Sequence, residues 1–227
     1  MIPAGTGVGV AIIDSGANVP HPHLPSVAGG VAFDVVGEPS DDWVDRLGHG
    51  TAVAAAIHEK APGAELWVVK VFDRRLATSV PALIRAIDWA AERGVHLVNL
   101  SLGTPNGARA ADLARAVARA SERGTLVVSA REHDGRRWYP GSLEGVVGVE
   151  IDPDCPREIV RAEVAPGGAA VVRASPYPRP VPGVPRERNL HGISFAVANV
   201  TGCLAASLAA GSGPGCAAEA VTALPFL

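Results

Sequence analysis

Short runs of β-branched and apolar residues alternate along the chain with longer alanine-rich stretches of helical period. The runs predict strands at residues 8–13, 65–71, 95–100, 125–130 and 146–151. Each is apolar nearly throughout, as a strand covered on both faces must be. Helical spacing predicts helices over 51–59, 80–93, 108–123 and 194–210, with Gly94 and Gly124 placed as C-terminal stops. Strand and helix in alternation is the pattern of crossover units on a parallel sheet. The expected fold class is therefore α/β: three layers, doubly wound, with a mostly parallel central sheet and helices on both faces.

Between these elements, residues 175–185 read SPYPRPVPGVP. Proline lacks the amide donor and fixes its own torsion, so this stretch forms neither a regular helix nor a central strand and is expected to be a surface loop. Too few residues follow it for a second domain, and the tail GSGPGCAAEAVTALPFL is expected to be a turn followed by a short packed helix. A length of 227 residues suits one domain, taken as 1–227, with a core of useful size.

Composition narrows the function classes. A net charge of −3 with no clustered basic stretch gives no footprint for nucleic acid. No unbroken apolar run approaches a membrane span; the most apolar helix, at 194–210, is interrupted by Asn199, Thr201 and Ser207. Cys155, Cys203 and Cys216 are odd in number, and none lies in a CxxC pair or near histidines at ligand spacing, which argues against a disulfide framework or a zinc site. The N-terminal MIPAGTGVGVAIIDSG lacks a basic n-region and a small-residue cleavage pattern, so no signal peptide and a cytoplasmic location are expected.

Three polar residues stand at the ends of predicted elements: Asp14 closes a strand in AIIDSG, His49 lies in GHGTAVAAAI, and Ser194 lies in HGISFAVANVTG. Singly, each suits a turn or a helix cap. Jointly they supply a nucleophile at a helix start, a base, and a carboxylate to orient that base, which are the parts of an acyl-transfer relay.

These segments resemble the subtilase family of serine peptidases, whose catalytic residues run in the order Asp, His, Ser. VAIIDSG followed by HPHL is similar to the family's aspartate segment and GHGTAVAAAI to its histidine segment; APGAELWVVKVFD, HLVNLSLGTPNG, WYPGSLEGVVGV and VAPGG follow in family order. The resemblance implies a subtilisin-like fold and an endopeptidase that cleaves peptide bonds through an acyl-enzyme. Ser194 would attack, His49 would take and return the proton, and Asp14 would hold the imidazole. It also implies that Ser101, Leu102 and Gly103 bind the substrate backbone as an added strand, and that the Ser194 amide donates to the oxyanion.

Departures from the family pattern shape the rest of the expectation. Where the family carries an oxyanion asparagine in AAGNEG, this chain has SAREHDG, and alignment on Gly135 puts His133 in the asparagine's place. Ile193 replaces the threonine before the nucleophile, and Ala198 and Asn199 replace a proline and a histidine. Loss of one oxyanion donor costs about 2.7–4 kcal/mol of transition-state stabilisation, a magnitude measured in subtilisin itself, so turnover is expected to be slow and selective.

The helix containing His58 passes directly into Ala61 and APGAELW, without the calcium-binding loop of many relatives. Asp41, Asp42 and Asp45 do not follow an EF-hand pattern and read as a solvated loop, so no metal and no cofactor are expected. GRRWY at 135–139 is expected to border the pocket for the side chain preceding the cleaved bond; Arg136 and Arg137 there suit an acidic substrate or simply face solvent. With no propeptide in the sequence, the expected partner is a dedicated peptide or protein precursor processed inside the cell.

Two other readings fit the same residues: an inactive protein that keeps the groove to bind a peptide, and a transpeptidase that passes the acyl group to an amine. A nucleotide-binding protein fits poorly, because GTGVG precedes its strand whereas a dinucleotide fingerprint follows one.

Overall fold

The computed structural model describes residues 2–164 and 170–210. The strands are β1 (Gly9–Asp14), β2 (Gly29–Phe33), β3 (Pro39–Ser40), β4 (Glu65–Lys70), β5 (Leu97–Leu100), β6 (Leu126–Ala130), β7 (Glu132–His133), β8 (Arg136–Arg137), β9 (Val146–Ile151), β10 (Arg161–Val164) and β11 (Ala170–Ala174). The helices are α1 (His49–Lys60), α2 (Val80–Glu92), α3 (Ala110–Glu122) and α4 (Ile193–Ala210). The main sheet has the order β10-β11-β9-β6-β5-β1-β4-β2-β3. Pairing is parallel from β11 to β2, and the edge strands β10 and β3 are antiparallel.

Two apolar layers sandwich the sheet. On one face Val10, Ile12, Val128 and Val147 pack with Val53, Ala56 and Ile57 of α1 and with Phe195, Val197 and Leu204 of α4. On the other, Ala11, Ile13 and Val98 pack with Leu83 and Ile87 of α2 and with Leu113 and Val117 of α3. β1 is buried along its whole length, which is why its sequence shows no alternation. α4 is buried nearly all round and so shows little amphipathy. α2 starts under a proper cap: the Ser79 hydroxyl accepts from the Ala82 amide (3.1 Å). Gly94 and Gly124, in the left-handed region at φ 71° and 78°, end α2 and α3 as their placement predicted.

The structure adds strands that the apolar pattern did not reveal, β2, β3, β10 and β11, together with the small β7–β8 hairpin. The Pro-rich segment is an irregular, largely exposed loop tied down at its start: Asn199 Nδ2 of α4 donates to the carbonyls of Ser175 (2.9 Å) and Tyr177 (3.0 Å). No described helix is long and apolar enough to cross a membrane. The expected helix of the C-terminal tail, the VAPGG block beyond Val164 and Cys216 lie outside the described residues.

Candidate active site

The site forms at the C-terminal edge of the parallel sheet, where open α/β folds present their loops to ligands. Asp14 is the last residue of β1 and is fully buried. His49 is the first residue of α1. Its Nδ1 lies 2.7 Å from Asp14 Oδ1, and the same oxygen accepts from the Ser15 amide (2.7 Å). Asp14 Oδ2 is buried without a hydrogen-bond partner among the described residues. The imidazole is thus the principal group facing this carboxylate. Burial pushes the His49 pKa down, but the hydrogen bond and charge of Asp14, with the charge of Asp45 behind it, outweigh that and hold it above the ordinary histidine value.

α1 reaches Asp14 because of what precedes it. The GHG motif is a packing requirement: a Cβ on Gly50 would lie 2.2 Å from the Gly16 carbonyl oxygen, so only glycine lets the helix start approach the turn after β1. Gly48 holds the left-handed N-cap position at φ 77° and has no side chain with which to cap the helix.

Asp45 supplies the missing cap. Its Oδ1 accepts from Ser15 Oγ (2.9 Å), Leu47 N (2.9 Å) and Gly48 N (2.8 Å), and its Oδ2 from Thr51 N (2.9 Å) and Thr51 Oγ1 (2.6 Å). Ser15 Oγ in turn accepts from the Gly50 amide (2.9 Å), so Asp45 and Ser15 stitch the Asp14 turn to the His49 helix. Burial alone would raise the Asp45 pKa, yet these donors, Thr51 foremost, bring it below the usual carboxylate value. The expectation of a solvated acidic loop therefore fails for Asp45, which is buried, and suits the exposed Asp41 and Asp42. Among the described residues no group of three or more His, Cys, Asp or Glu is arranged to hold a metal ion.

Ser194 is the second residue of α4, one turn's start away from Gly192, whose carbonyl accepts from the Phe195 amide (3.1 Å). Its hydroxyl donates to the Ser101 carbonyl (3.2 Å). His49 and Ser194 open onto one cavity of about 340 Å³, together with Ser101, Leu102, Gly103, Trp138, Phe72 and Leu83. His49, Ser194 and the strand-edge residues Ser101, Leu102 and Gly103 thus line one cavity.

His133 is not among the residues lining this cavity. It belongs to β7, with its ring edge-on to Trp138 (centroids 6.1 Å apart) and its Nε2 3.5 Å from Asp134 Oδ2. Arg136 and Arg137 form β8, are exposed and do not reach the cavity either, which fits the solvent-facing alternative.

A second set of supports escaped sequence reasoning. Asn99 is fully buried in β5; its Nδ2 donates to Ser101 Oγ (2.8 Å), and its Oδ1 accepts from Thr201 Oγ1 of α4 (3.0 Å). This chain of bonds fixes the strand end carrying Ser101 relative to the helix carrying Ser194. The signal available in the sequence is a lone asparagine inside an apolar strand, HLVNLSLG.

A buried Asp–His pair whose histidine shares one cavity with a helix-start serine, at the C-terminal edge of a parallel sheet, is a constellation characteristic of serine hydrolases. Comparison with known proteins makes this more specific. The subtilase family (peptidase S8) model matches residues 5–142, and the chain belongs to that family. It is 38% identical over 156 residues to a thermostable alkaline protease of Halalkalibacterium halodurans, a stretch covering 64% of this chain and 41% of that protein. It is 31% identical over 220 residues to Subtilisin DY of Bacillus licheniformis, covering 88% of this chain and 76% of the relative. The chain thus spans less than half of the first of these relatives. The fold is that of Sphericase, with a TM-score of 0.66 at 22% identity, covering 93% of this chain and 80% of that structure.

Proposed function

We propose that the chain is a serine endopeptidase in which Asp14, His49 and Ser194 act as a catalytic triad. The observation that carries this reading is the 2.7 Å His49–Asp14 contact on a cavity that also contains Ser194 and the strand edge at Ser101, Leu102 and Gly103. An extended peptide adds to that edge, its carbonyl over Ser194. Ser194 Oγ turns from the Ser101 carbonyl toward His49, gives up its proton to Nε2 and attacks; His49⁺, stabilised by Asp14, then protonates the leaving amine. The α4 amides, Ser194 N among them, face the developing oxyanion with the positive end of the helix.

The activity proposed is slow, selective processing of a peptide or protein precursor. Its support is the absence of His133 from the cavity lining and of any asparagine in its place. A binding-only reading is favoured by one feature, the engagement of the Ser194 hydroxyl by Ser101 rather than by His49. Digestion of a diverse peptide mixture, read by mass spectrometry, separates the two. The protease reading expects new termini from the wild type and none from Ser194→Ala; no cleavage by either would overturn it.

A further inference from the structure

His49 and Ser194 stand between two cavities. The one described above holds the strand edge at Ser101, Leu102 and Gly103; a second, of about 260 Å³, shares no lining residue with it. Gly48, which precedes His49, and Asn189 and Leu190, which lead into α4 ahead of Ser194, line this second cavity, so it flanks the same pair from the other direction. A peptide whose acyl part lies along the strand edge carries its leaving part past His49, the group that protonates it, and out on that flank.

The second cavity is rich in donors and cations. Arg179, His21 and His23 open onto it, and none of the described residues lining it is acidic. Arg179 is held in position: its carbonyl accepts from Asn189 Nδ2 (3.2 Å), and its Nη1 donates to the His23 carbonyl (3.2 Å). The carboxylate beside it, Glu59, lies 4.0 Å from Nε and is held more closely by Arg157. Among the described residues Nη2 has no partner, so the guanidinium keeps a donor to give. His21 Nδ1 accepts from the His23 amide (3.2 Å), which places the proton of the neutral ring on Nε2, where it can donate outward. Burial, then the charges of Arg179 and His21, hold the His23 pKa below the ordinary histidine value against the pull of Glu59, as expected of a ring in a positive field.

These groups match one ligand chemistry. A carboxylate accepts from a planar guanidinium fork and from ring N–H groups, and a half-buried guanidinium is screened less than one in open water. Arg136 and Arg137 do not reach the first cavity, whereas Arg179 opens directly on the second. We infer that Arg179, with His21 and His23, binds a carboxylate on the leaving part of the peptide, its free C-terminus or an acidic side chain, and so selects acidic leaving segments.

This inference rests on the serine peptidase reading, and its test keeps the two apart. Peptides with one common acyl part and leaving parts of increasing length are made in pairs: free acid against C-terminal amide, and, with the terminus amidated, Glu against Gln. The ratio of kcat/KM within each pair is measured for the wild type, Arg179→Gln, Arg179→Lys and His21→Ala. The wild type is expected to favour the carboxylate by about tenfold at the length that reaches the cavity, with the ratio shrinking as salt is added. Arg179→Gln should bring the ratio to within about twofold of one, Arg179→Lys should keep part of it, and His21→Ala should lower it about threefold. Which pair discriminates identifies the source of the carboxylate.

In parallel, the affinities of the same uncleaved peptides for Ser194→Ala, read by calorimetry, should show the same order without chemistry. Ratios near one in both pairs at every length, or a ratio that survives Arg179→Gln, overturn the inference while leaving the peptidase reading in place. If nothing is cleaved but the affinities discriminate, the catalytic reading falls and the carboxylate site stands. Should Arg179→Gln fail to fold, the wild-type ratios and His21→Ala, on an exposed turn, decide.

Discussion

Asp45→Asn probes the device that brings His49 to Asp14. The substitution keeps size and shape but replaces a carboxylate accepting five hydrogen bonds with an amide that presents donors on one side. With the amide nitrogen in the place of Oδ2, the Thr51 amide loses its acceptor; in the other orientation the Leu47 and Gly48 amides do. Charge-assisted bonds are worth about 1.5–3 kcal/mol each and orphaned buried donors cost about 1–3 kcal/mol, so we expect a net loss of about 3 kcal/mol at neutral pH.

Urea unfolding is the assay. With a slope of about 2–3 kcal/mol per molar, the midpoint should fall by about 1 M at unchanged slope. The pH dependence supplies a second check. The folded pKa of Asp45 is depressed, so its contribution is present above the unfolded carboxylate value and is lost as pH falls through the folded one. The gap between wild type and Asp45→Asn should hold steady from pH 7 to about 5 and close below about 4. A difference under about 0.5 kcal/mol at pH 7, or one independent of pH, would refute the reasoning.

Further consequences follow from the same geometry. His49 must be neutral to act as base, and its pKa is raised, so kcat/KM should rise with pH through an apparent value above the ordinary 6.5. The stabilisation linked to protonated His49 is correspondingly present below that ordinary value and lost as pH rises through the folded one. Asn99→Ala leaves Ser101 Oγ without its donor in a buried site and breaks the tie to Thr201, whose hydroxyl keeps the Val197 carbonyl; a loss of about 1–3 kcal/mol in urea unfolding is expected, with kcat lowered more than KM. Gly50→Ala drives a methyl into the Gly16 carbonyl, and thermal melting should show a loss of about 3 kcal/mol or more or no folded protein.

What the chain made legible, and what it did not, divides along one physical line. β1, β4, β5, β6 and β9 are covered on both faces and read as continuous apolar runs, and α2 and α3 carry clear stripes; these are local signals. β2 begins with two glycines because Gly29 lies against the Trp67 ring and Gly30 against Trp43 and the Val68 carbonyl, so its strand character is imposed by neighbours distant in sequence. β11, AVVRA, carries an arginine that pairs with Glu150 of β9 and Glu163 of β10, and only the assembled sheet explains it.

The site divides in the same way. Asp14, His49 and Ser194 stand at element ends inside short motifs and can be picked out one by one. Asp45 looks like any loop acid until Ser15 and Thr51, 30 positions before it and six after, are folded around it. His133 stands where alignment puts the family's asparagine, and the β7–β8 hairpin sets its ring edge-on to Trp138, a contact that spacing alone does not encode.

The central claim is that His49 activates Ser194. Intact-mass analysis after treatment with a fluorophosphonate tests it most directly, on the wild type, Ser194→Ala and His49→Ala, each shown to be folded. A single adduct on the wild type, absent from both variants, is the predicted result; no adduct on folded wild type, or an adduct that persists in Ser194→Ala, contradicts it.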